Sequence, residues 1–387
     1  MSEVTTFREV FKVFLRLGLT SFGGPAAHLG YFHDEFVRRR QWLSESAYGE
    51  VVALCQLLPG PASSQVGLAI GFLRGSYRGA LAAWLAFTLP SAVLMTLFAL
   101  GLGVWPGAAQ GGWVAGLKLF VVAVVAQAVW QMGRTLCPDR VRQGLAVLVA
   151  VILLVAGSAA MQLVALGISG VAGLALRVPP GDRQAVLSLP VQGRRPMVFL
   201  MLFALLLLMS FLPMQAGTQS WLAAEMYRSG ALVFGGGHVV LPWLEEGFVA
   251  SGQVTADTFL AGYGAAQAVP GPLFTFSAFL GGAVGGIPGS IVALVSVFLP
   301  GVLLVFAGLP LWQWLRQHDQ ARSMLAGVNA GVVGLLLAAL FDPVWTSAVH
   351  SPAGVAFVLA AWWALAVVRV PVWLLAPGSA ALGAAFF

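Results

Sequence analysis

The chain has 387 residues, of which 59% are apolar and only 9% charged, and its mean hydropathy is +0.90. An ordinary soluble domain is about 25% charged, so this composition excludes one and predicts a polytopic membrane protein. The net charge of +6 sits in short loops between apolar segments, which suits membrane orientation and not nucleic-acid binding.

Arg8, Lys12 and Arg16 open the chain at helical spacing with no apolar core and cleavage site behind them, so an amphipathic helix is expected and not a removable signal peptide. The apolar stretch 7 to 37 is interrupted at Gly23-Gly24-Pro25, and 45 to 73 at Pro59-Gly60-Pro61. Uninterrupted segments follow at 78 to 101, 113 to 133, 143 to 157 and 158 to 176. The last two share a charge-free run too long for one span of about 20 residues, broken near Gly157-Ser158. Residues 177 to 195, rich in Arg and Pro, read as a polar linker, and 197 to 212 as a connecting span. Two more interrupted stretches come next, 219 to 248 at Gly235-Gly236-Gly237 and 258 to 285 at Pro270-Gly271-Pro272. Segments at 288 to 310, 323 to 341, 352 to 368 and 371 to 387 complete an all-α chain of about nine transmembrane spans and four broken helices.

The two halves repeat each other. Phe22-Gly23-Gly24-Pro25 and Gln56-Leu57-Leu58-Pro59-Gly60-Pro61 return as Phe234-Gly235-Gly236-Gly237 and Gln267-Ala268-Val269-Pro270-Gly271-Pro272. The organisation expected is a first repeat at 1–176, a linker with one helix at 177–218 and a second repeat at 219–387. A broken helix either crosses or turns back. If all four turn back as re-entrant hairpins, eighteen of the twenty basic residues fall on one side, opposite Glu245, Glu246, Asp257 and Asp342. The hairpin reading is therefore preferred, and the connecting span then inverts the second repeat. Duplication of this kind in a membrane chain points to a transporter.

Helix breaks at membrane depth persist only inside protein or beside a wet cavity. Half-helices leaving them aim free N–H groups and positive dipole ends inward, which suits an anion. Ser63 and Ser64 follow the first Pro-Gly-Pro, and Thr275 corresponds to Ser64 in the second. Their hydroxyls either cap the helix or donate to a tetrahedral oxyanion. Gln56 and Gln267 either satisfy carbonyls that proline leaves open or touch substrate. His28 and His238 follow the glycine breaks and either bond backbone carbonyls or serve anion binding and proton coupling. Glu50, ionisable within an apolar stretch, is the proton-carrier candidate, unless it stands near the interface behind a Ser44 cap. Lys118 either snorkels or faces the anion path, and Arg228 pairs with Glu225.

Cys55 and Cys137 are the only cysteines, so a disulfide framework or a Cys-x-x-Cys metal site is not expected. No Gly-Lys-Ser/Thr, His-Glu-x-x-His or Gly-x-Ser-x-Gly motif occurs, so no cofactor, metal or catalytic role is expected. Glycines 71, 75 and 79 and their later counterparts 281, 282, 285, 286 and 289 read as helix-contact positions.

Ser21-Phe22-Gly23-Gly24-Pro25-Ala26-Ala27-His28 and Leu57-Leu58-Pro59-Gly60-Pro61, with Phe234-Gly235-Gly236-Gly237-His238 and Val269-Pro270-Gly271-Pro272, resemble the chromate ion transporter (CHR) family in its long-chain, two-domain form. The resemblance covers both halves. It implies export of chromate from the cytoplasm across the inner membrane, driven by the proton motive force and conferring resistance, with sulfate as the structural mimic. The residues themselves leave chromate, sulfate and other oxyanions open, and also an anion channel. A homodimer is the default for an oligomer.

Overall fold

The structure is a computed structural model and describes residues 7–22, 24–104, 111–156, 159–175, 195–233 and 239–386. Among them every regular element is helical: α1 Phe7–Thr20, α2 Gly24–His33, α3 Glu45–Leu57, α4 Ala62–Val104, α5 Gly112–Leu136, α6 Arg140–Val155, α7 Ala159–Gly173, α8 Arg195–Met209, α9 Gln219–Ala231, α10 Val240–Glu245, α11 Ala256–Ala268, α12 Phe276–Gln317, α13 Asp319–Ala339, α14 Pro352–Trp363 and α15 Val372–Phe386. Side-chain caps fix several starts. Ser44 accepts from Ala47 N, Asp139 from Val141 N and Arg142 N, Thr218 from Trp221 N, and Ser351 from Gly354 N.

Each of the nine expected spans falls on a helix. Four stretches are long and apolar enough to cross a membrane, Ala62–Val104, Gly112–Leu136, Leu273–Leu309 and Asp319–Trp345, and shorter apolar helices cover Met161–Gly173, Pro196–Met209, Pro352–Val368 and Val372–Phe386. Their outward faces carry large apolar side chains such as Leu97, Leu205 and Ile291, the surface a lipid-facing helix needs.

Two of the long helices are each two rods. α4 leaves helical geometry at Gly75 and Ser76, and α12 does so with nearly the same angles at Gly285 and Gly286. The chain reverses there, because a Cβ on Gly71 would lie 2.5 Å from Gly79 O and 2.7 Å from Ala83 Cβ, and one on Gly281 would strike Gly289 O and Ala293 Cβ. The breaks fall between the segments expected at 45 to 73 and 78 to 101, and between 258 to 285 and 288 to 310. Glycines 71, 79, 281, 282 and 289 do make helix contacts, across a reversal that glycine spacing alone does not reveal, whereas a Cβ on Gly286 would meet nothing within 4 Å.

The chain forms two compact units, each built from segments of both sequence halves: residues 1–104, 184–237 and 269–313 in one, 105–183, 238–268 and 314–387 in the other. In the first, α1 lies on the long arm of α4, where Gly18 faces the Phe87 and Ala86 carbonyls, and α9 lies on the long arm of α12, where Gly230 faces Val297 O. The short arms exchange partners. Residues 62–74 run beside the later half's long arm, with Gln65 against Gly301 and the Phe72 ring 5.3 Å from Phe306. Residues 276–284 run beside the earlier half's, with Gly282 against Ala99 and Phe98 stacked on Phe279 at 5.5 Å. Leu54 and Leu58 of the α3 end also reach Gly308.

At one end of this unit the π-helical turn Asp34–Arg39 lies outside the spanning helices. Arg40 Nε sits 2.6 Å and Arg39 Nη1 3.1 Å from the Glu35 carboxylate. Arg40 and Arg74 both lie over the Trp42 ring, at 5.4 and 5.3 Å. Arg228 pairs with Glu225 and donates to Ser210 O, as the i−3 spacing predicts.

In the second unit, small residues set helix contacts again. Gly116 of α5 meets Gly383 and Ser379 O of α15, and Gly173 of α7 meets Gly327 and Ser323 O of α13. Lys118 Nζ lies 2.7 Å from Asp257 Oδ1, so its stem is buried and its charge paired with the start of α11.

Candidate functional site

The Pro-Gly-Pro and glycine breaks of the first unit are joined crosswise. Gly60 N donates to Val233 O at 2.7 Å, and Gly271 N donates to Ser21 O at 2.9 Å. The first half's Pro-Gly-Pro thus bonds Val233, two residues before the second half's glycine run, and the second half's bonds Ser21, two residues before the first. Both glycines have positive φ, +125° and +101°. A Cβ at Gly60 would also lie 2.8 Å from Gln65 Nε2 and 3.2 Å from Gly301 Cα, and one at Gly271 would lie 2.7 Å from Ser91 Oγ. Glycine is required at both places by conformation and by space.

Pro61 begins the short arm of α4 and its carbonyl accepts from Gln65 N at 2.9 Å. The amides of residues 62–64 precede that first helical bond and have no intrahelical partner. Ser63 and Ser64 are 4% and 5% exposed. Ser63 Oγ lies 3.3 Å from His28 Nδ1, and the fully buried His28 ring stands edge-on to Phe87 at 5.2 Å. Ser64 Oγ has no protein partner among the described residues.

The second break opens differently. A 3-10 turn, Leu273–Thr275, closes it; Thr275 N and Thr275 Oγ1 donate to Pro272 O at 3.0 and 2.9 Å, and Ser277 Oγ donates to Phe274 O. Thr275 is therefore satisfied within its own turn, by the carbonyl that opens it.

A cavity lies against the first break. It is small, with room for about one water molecule, and is lined by Pro61, Ser64, Gln65, Trp84, Phe298 and Gly301 with two aliphatic neighbours. Gln65 Nε2 donates to Pro59 O at 2.9 Å, and among the described residues Gln65 Oε1 and the buried Trp84 Nε1 have no partner. Sequence reasoning missed Gln65 and Trp84. For Gln65 a signal existed, a polar residue in the first turn behind a helix break; for Trp84 none did.

The remaining expected residues are spread out. Phe22 is half-buried and Gly24, at φ +77°, opens α2. Gln56 is exposed in the last turn of α3, whereas Gln267 belongs to the second unit, is 8% exposed, and leaves Nε2 unpartnered among the described residues. Pro270 is half-buried and Pro272 buried. Glu50 is 9% exposed on α3, one turn and a half beyond the Ser44 cap that sequence reading placed there. Gly23 and Phe234, Gly235, Gly236, Gly237 and His238 lie outside the described residues. No group of three or more His, Cys, Asp or Glu residues able to hold a metal occurs among the described residues.

Long apolar helices, outward apolar faces and helix breaks buried in protein define a multi-pass helical membrane protein. The chain belongs to the chromate transporter family, which matches residues 8–174 and again 220–384. It is 29% identical to a probable chromate transport protein of Synechococcus elongatus over 87% of this chain and 84% of that one, and 29% identical to the chromate transport protein of Cupriavidus metallidurans over 87% and 82%. A chromate transport protein of Pseudomonas aeruginosa is 28% identical over 90% of this chain and 83% of its own length. No solved structure matches the chain.

Proposed function

We propose that the protein is a secondary transporter that carries chromate out of the cytoplasm across the inner membrane in exchange for protons, conferring resistance, and that it performs no catalysis. Family membership and the names of its relatives support chromate as cargo. The single observation that carries the site is the crosswise pair of bonds, Gly60 N to Val233 O and Gly271 N to Ser21 O. Two copies of a break that bond each other reciprocally support the reading of two inverted repeats, 1–176 and 219–387, joined by a helix within 177–218 and totalling about nine spans. Leu54 and Phe72 lie on opposite sides of the first Pro-Gly-Pro yet reach neighbouring parts of α12, Gly308 and Phe306; this supports a re-entrant hairpin at residues 45–73.

The oxyanion is held at the first break by the amides of residues 62–64 and the hydroxyls of Ser63 and Ser64, with His28 beside Ser63. Glu50 carries the proton. Sulfate competes as a mimic, and the protein works as a monomer or homodimer. Chromate uptake into inverted vesicles under an imposed proton gradient tests the reading. Gradient-dependent, saturable uptake is expected; flux blind to the gradient removes the coupling, and conductance without saturation would make the protein a channel.

A further inference from the structure

The outward face of α1 has no task in the transport reading. Val10, Val13, Phe14, Leu17 and Gly18 are buried on one side of this helix, and Arg8, Lys12 and Arg16, four residues apart, stand exposed on the other. The helix runs inward from one end of the first unit. Glu9 meets Arg40 there, and Arg40 and Arg74 lie over Trp42, whereas Gly18 faces the Phe87 and Ala86 carbonyls of the long arm of α4. Phe87 follows the reversal at Ser76 by a length of helix of about 16 Å. Arg8, Lys12 and Arg16 therefore mark three levels roughly 6 Å apart, the first beside the tip of the unit and the last about 13 Å inside it.

The described carboxylates at this end are already engaged. Glu9 meets Arg40, Asp34 meets Arg38, Glu35 takes Arg39 and Arg40, and Glu45 bonds His33. Arg8, Lys12 and Arg16 have no ion pair among the described residues. The surface that carries them is otherwise apolar, because Phe7 and Leu19 of α1 and Leu81 and Leu89 of the long arm are all exposed.

Large exposed apolar side chains do not suit a face turned wholly to bulk water, and unpaired cations do not suit one turned wholly to hydrocarbon, where a bare charge is expensive. A helix face that mixes the two belongs at the boundary between headgroups and acyl chains. The headgroup layer on one side of a bilayer is about 5–8 Å deep, so the stripe runs through it and Arg16 reaches back along its own stem. We propose that the exposed face of α1 is a docking surface for anionic phospholipid, whose phosphates supply the missing counter-charges to Arg8, Lys12 and Arg16 while acyl chains lie on Phe7, Leu19 and the long arm of α4. The lipid braces the arm that leads to Ser21, whose carbonyl accepts from Gly271 N. Such a surface works in the same way whatever the cargo.

The test is titration of the full chain, in an uncharged detergent, with phosphatidylglycerol or with phosphatidylcholine, bound lipid being counted by native mass spectrometry and stability followed as melting temperature. Phosphatidylglycerol should bind about tenfold more tightly, raise the melting temperature by several degrees, and lose most of that advantage when salt is raised from about 0.1 to about 0.5 M. Arg16→Gln should weaken phosphatidylglycerol about fivefold, the worth of one cation at a charged surface, and Arg8→Gln/Lys12→Gln/Arg16→Gln by roughly a hundredfold. Both should melt as the wild type does in phosphatidylcholine, since the side chains they lose are exposed. Arg8→Lys/Arg16→Lys should bind as the wild type, and Arg134→Gln/Arg140→Gln, which removes two exposed arginines of the second unit, should keep most of the melting shift. Equal binding of the two lipids, an advantage indifferent to salt, wild-type affinity in Arg16→Gln, or a loss in the second-unit control as large as in Arg16→Gln overturns the proposal even if the triple variant fails to fold. So does displacement of the lipid by millimolar sulfate or chromate at constant ionic strength, which would assign the face to a soluble oxyanion.

Discussion

Ser64 and Thr275 hold corresponding places in the two repeats, and their partners separate their roles. Thr275 Oγ1 bonds Pro272 O, so Thr275→Val should lower thermal stability by about 1 kcal/mol and leave chromate half-saturation nearly unchanged. Ser64 Oγ bonds nothing among the described residues, so Ser64→Ala should keep stability and raise half-saturation several-fold in the same vesicle assay. Burial pushes the Glu35 carboxyl up, but hydrogen bonds from Arg40 and Arg39 and their charges outweigh it and hold the group below the usual carboxylate range. A carboxyl depressed by folding adds stability above its unfolded pKa and loses it as pH falls through the folded value. Acid melting in detergent should therefore show a loss of stability below the ordinary carboxylate range that Glu35→Gln flattens; an identical acid limb in the variant would rule this out.

At the scale of elements, the hairpin tips carry the clearest strain. Ser76 has φ 55° and ψ −151°, and Gly286 has φ 61° and ψ −152°. That region of backbone space belongs essentially to glycine and costs other residues about 1–3 kcal/mol. Ser76→Gly should consequently raise the melting temperature and Gly286→Ser should lower it, an opposite pair of outcomes for one swap made in two directions. Equal signs in calorimetry would show that the tips are not equivalent. Alongside the tip, Gly281→Ala places a Cβ against Gly289 O and Ala293 Cβ. Overpacking between backbones costs about 1–3 kcal/mol or more, and a drop in monodisperse yield is the readout.

For the whole molecule, each compact unit draws on both sequence halves. The short arms of α4 and α12 pack on each other's long partners, and α5 and α13 take up α15 and α7 in the same exchanged manner. Neither half can bury its apolar faces alone. Residues 1–183 expressed by themselves should aggregate or be degraded, whereas the same fragment co-expressed with residues 184–387 should restore chromate uptake to within a few-fold of the intact chain. A stable, monodisperse single half would contradict this exchange of elements.

Much of this was legible in the residues alone. Apolar runs located the helices because a lipid-facing helix must be apolar along its length; Pro59-Gly60-Pro61 and Pro270-Gly271-Pro272 marked breaks because proline cannot continue a helix and glycine readily takes the φ of +125° and +101° found there. Arg228 with Glu225 and the Ser44 cap followed from spacing of three or four residues. What lies far apart in sequence did not. That Gly60 bonds Val233, that Lys118 meets Asp257 across 139 residues, and that Gln65 and Trp84 share a cavity depends on which helices pack together, and close packing is set by whole surfaces that no local pattern encodes. Sequence thus determined the solvent, the helices and where they break, because those are local and compositional; tertiary structure alone decided which breaks meet and which polar atoms are left open, because a partner's identity is a property of packing.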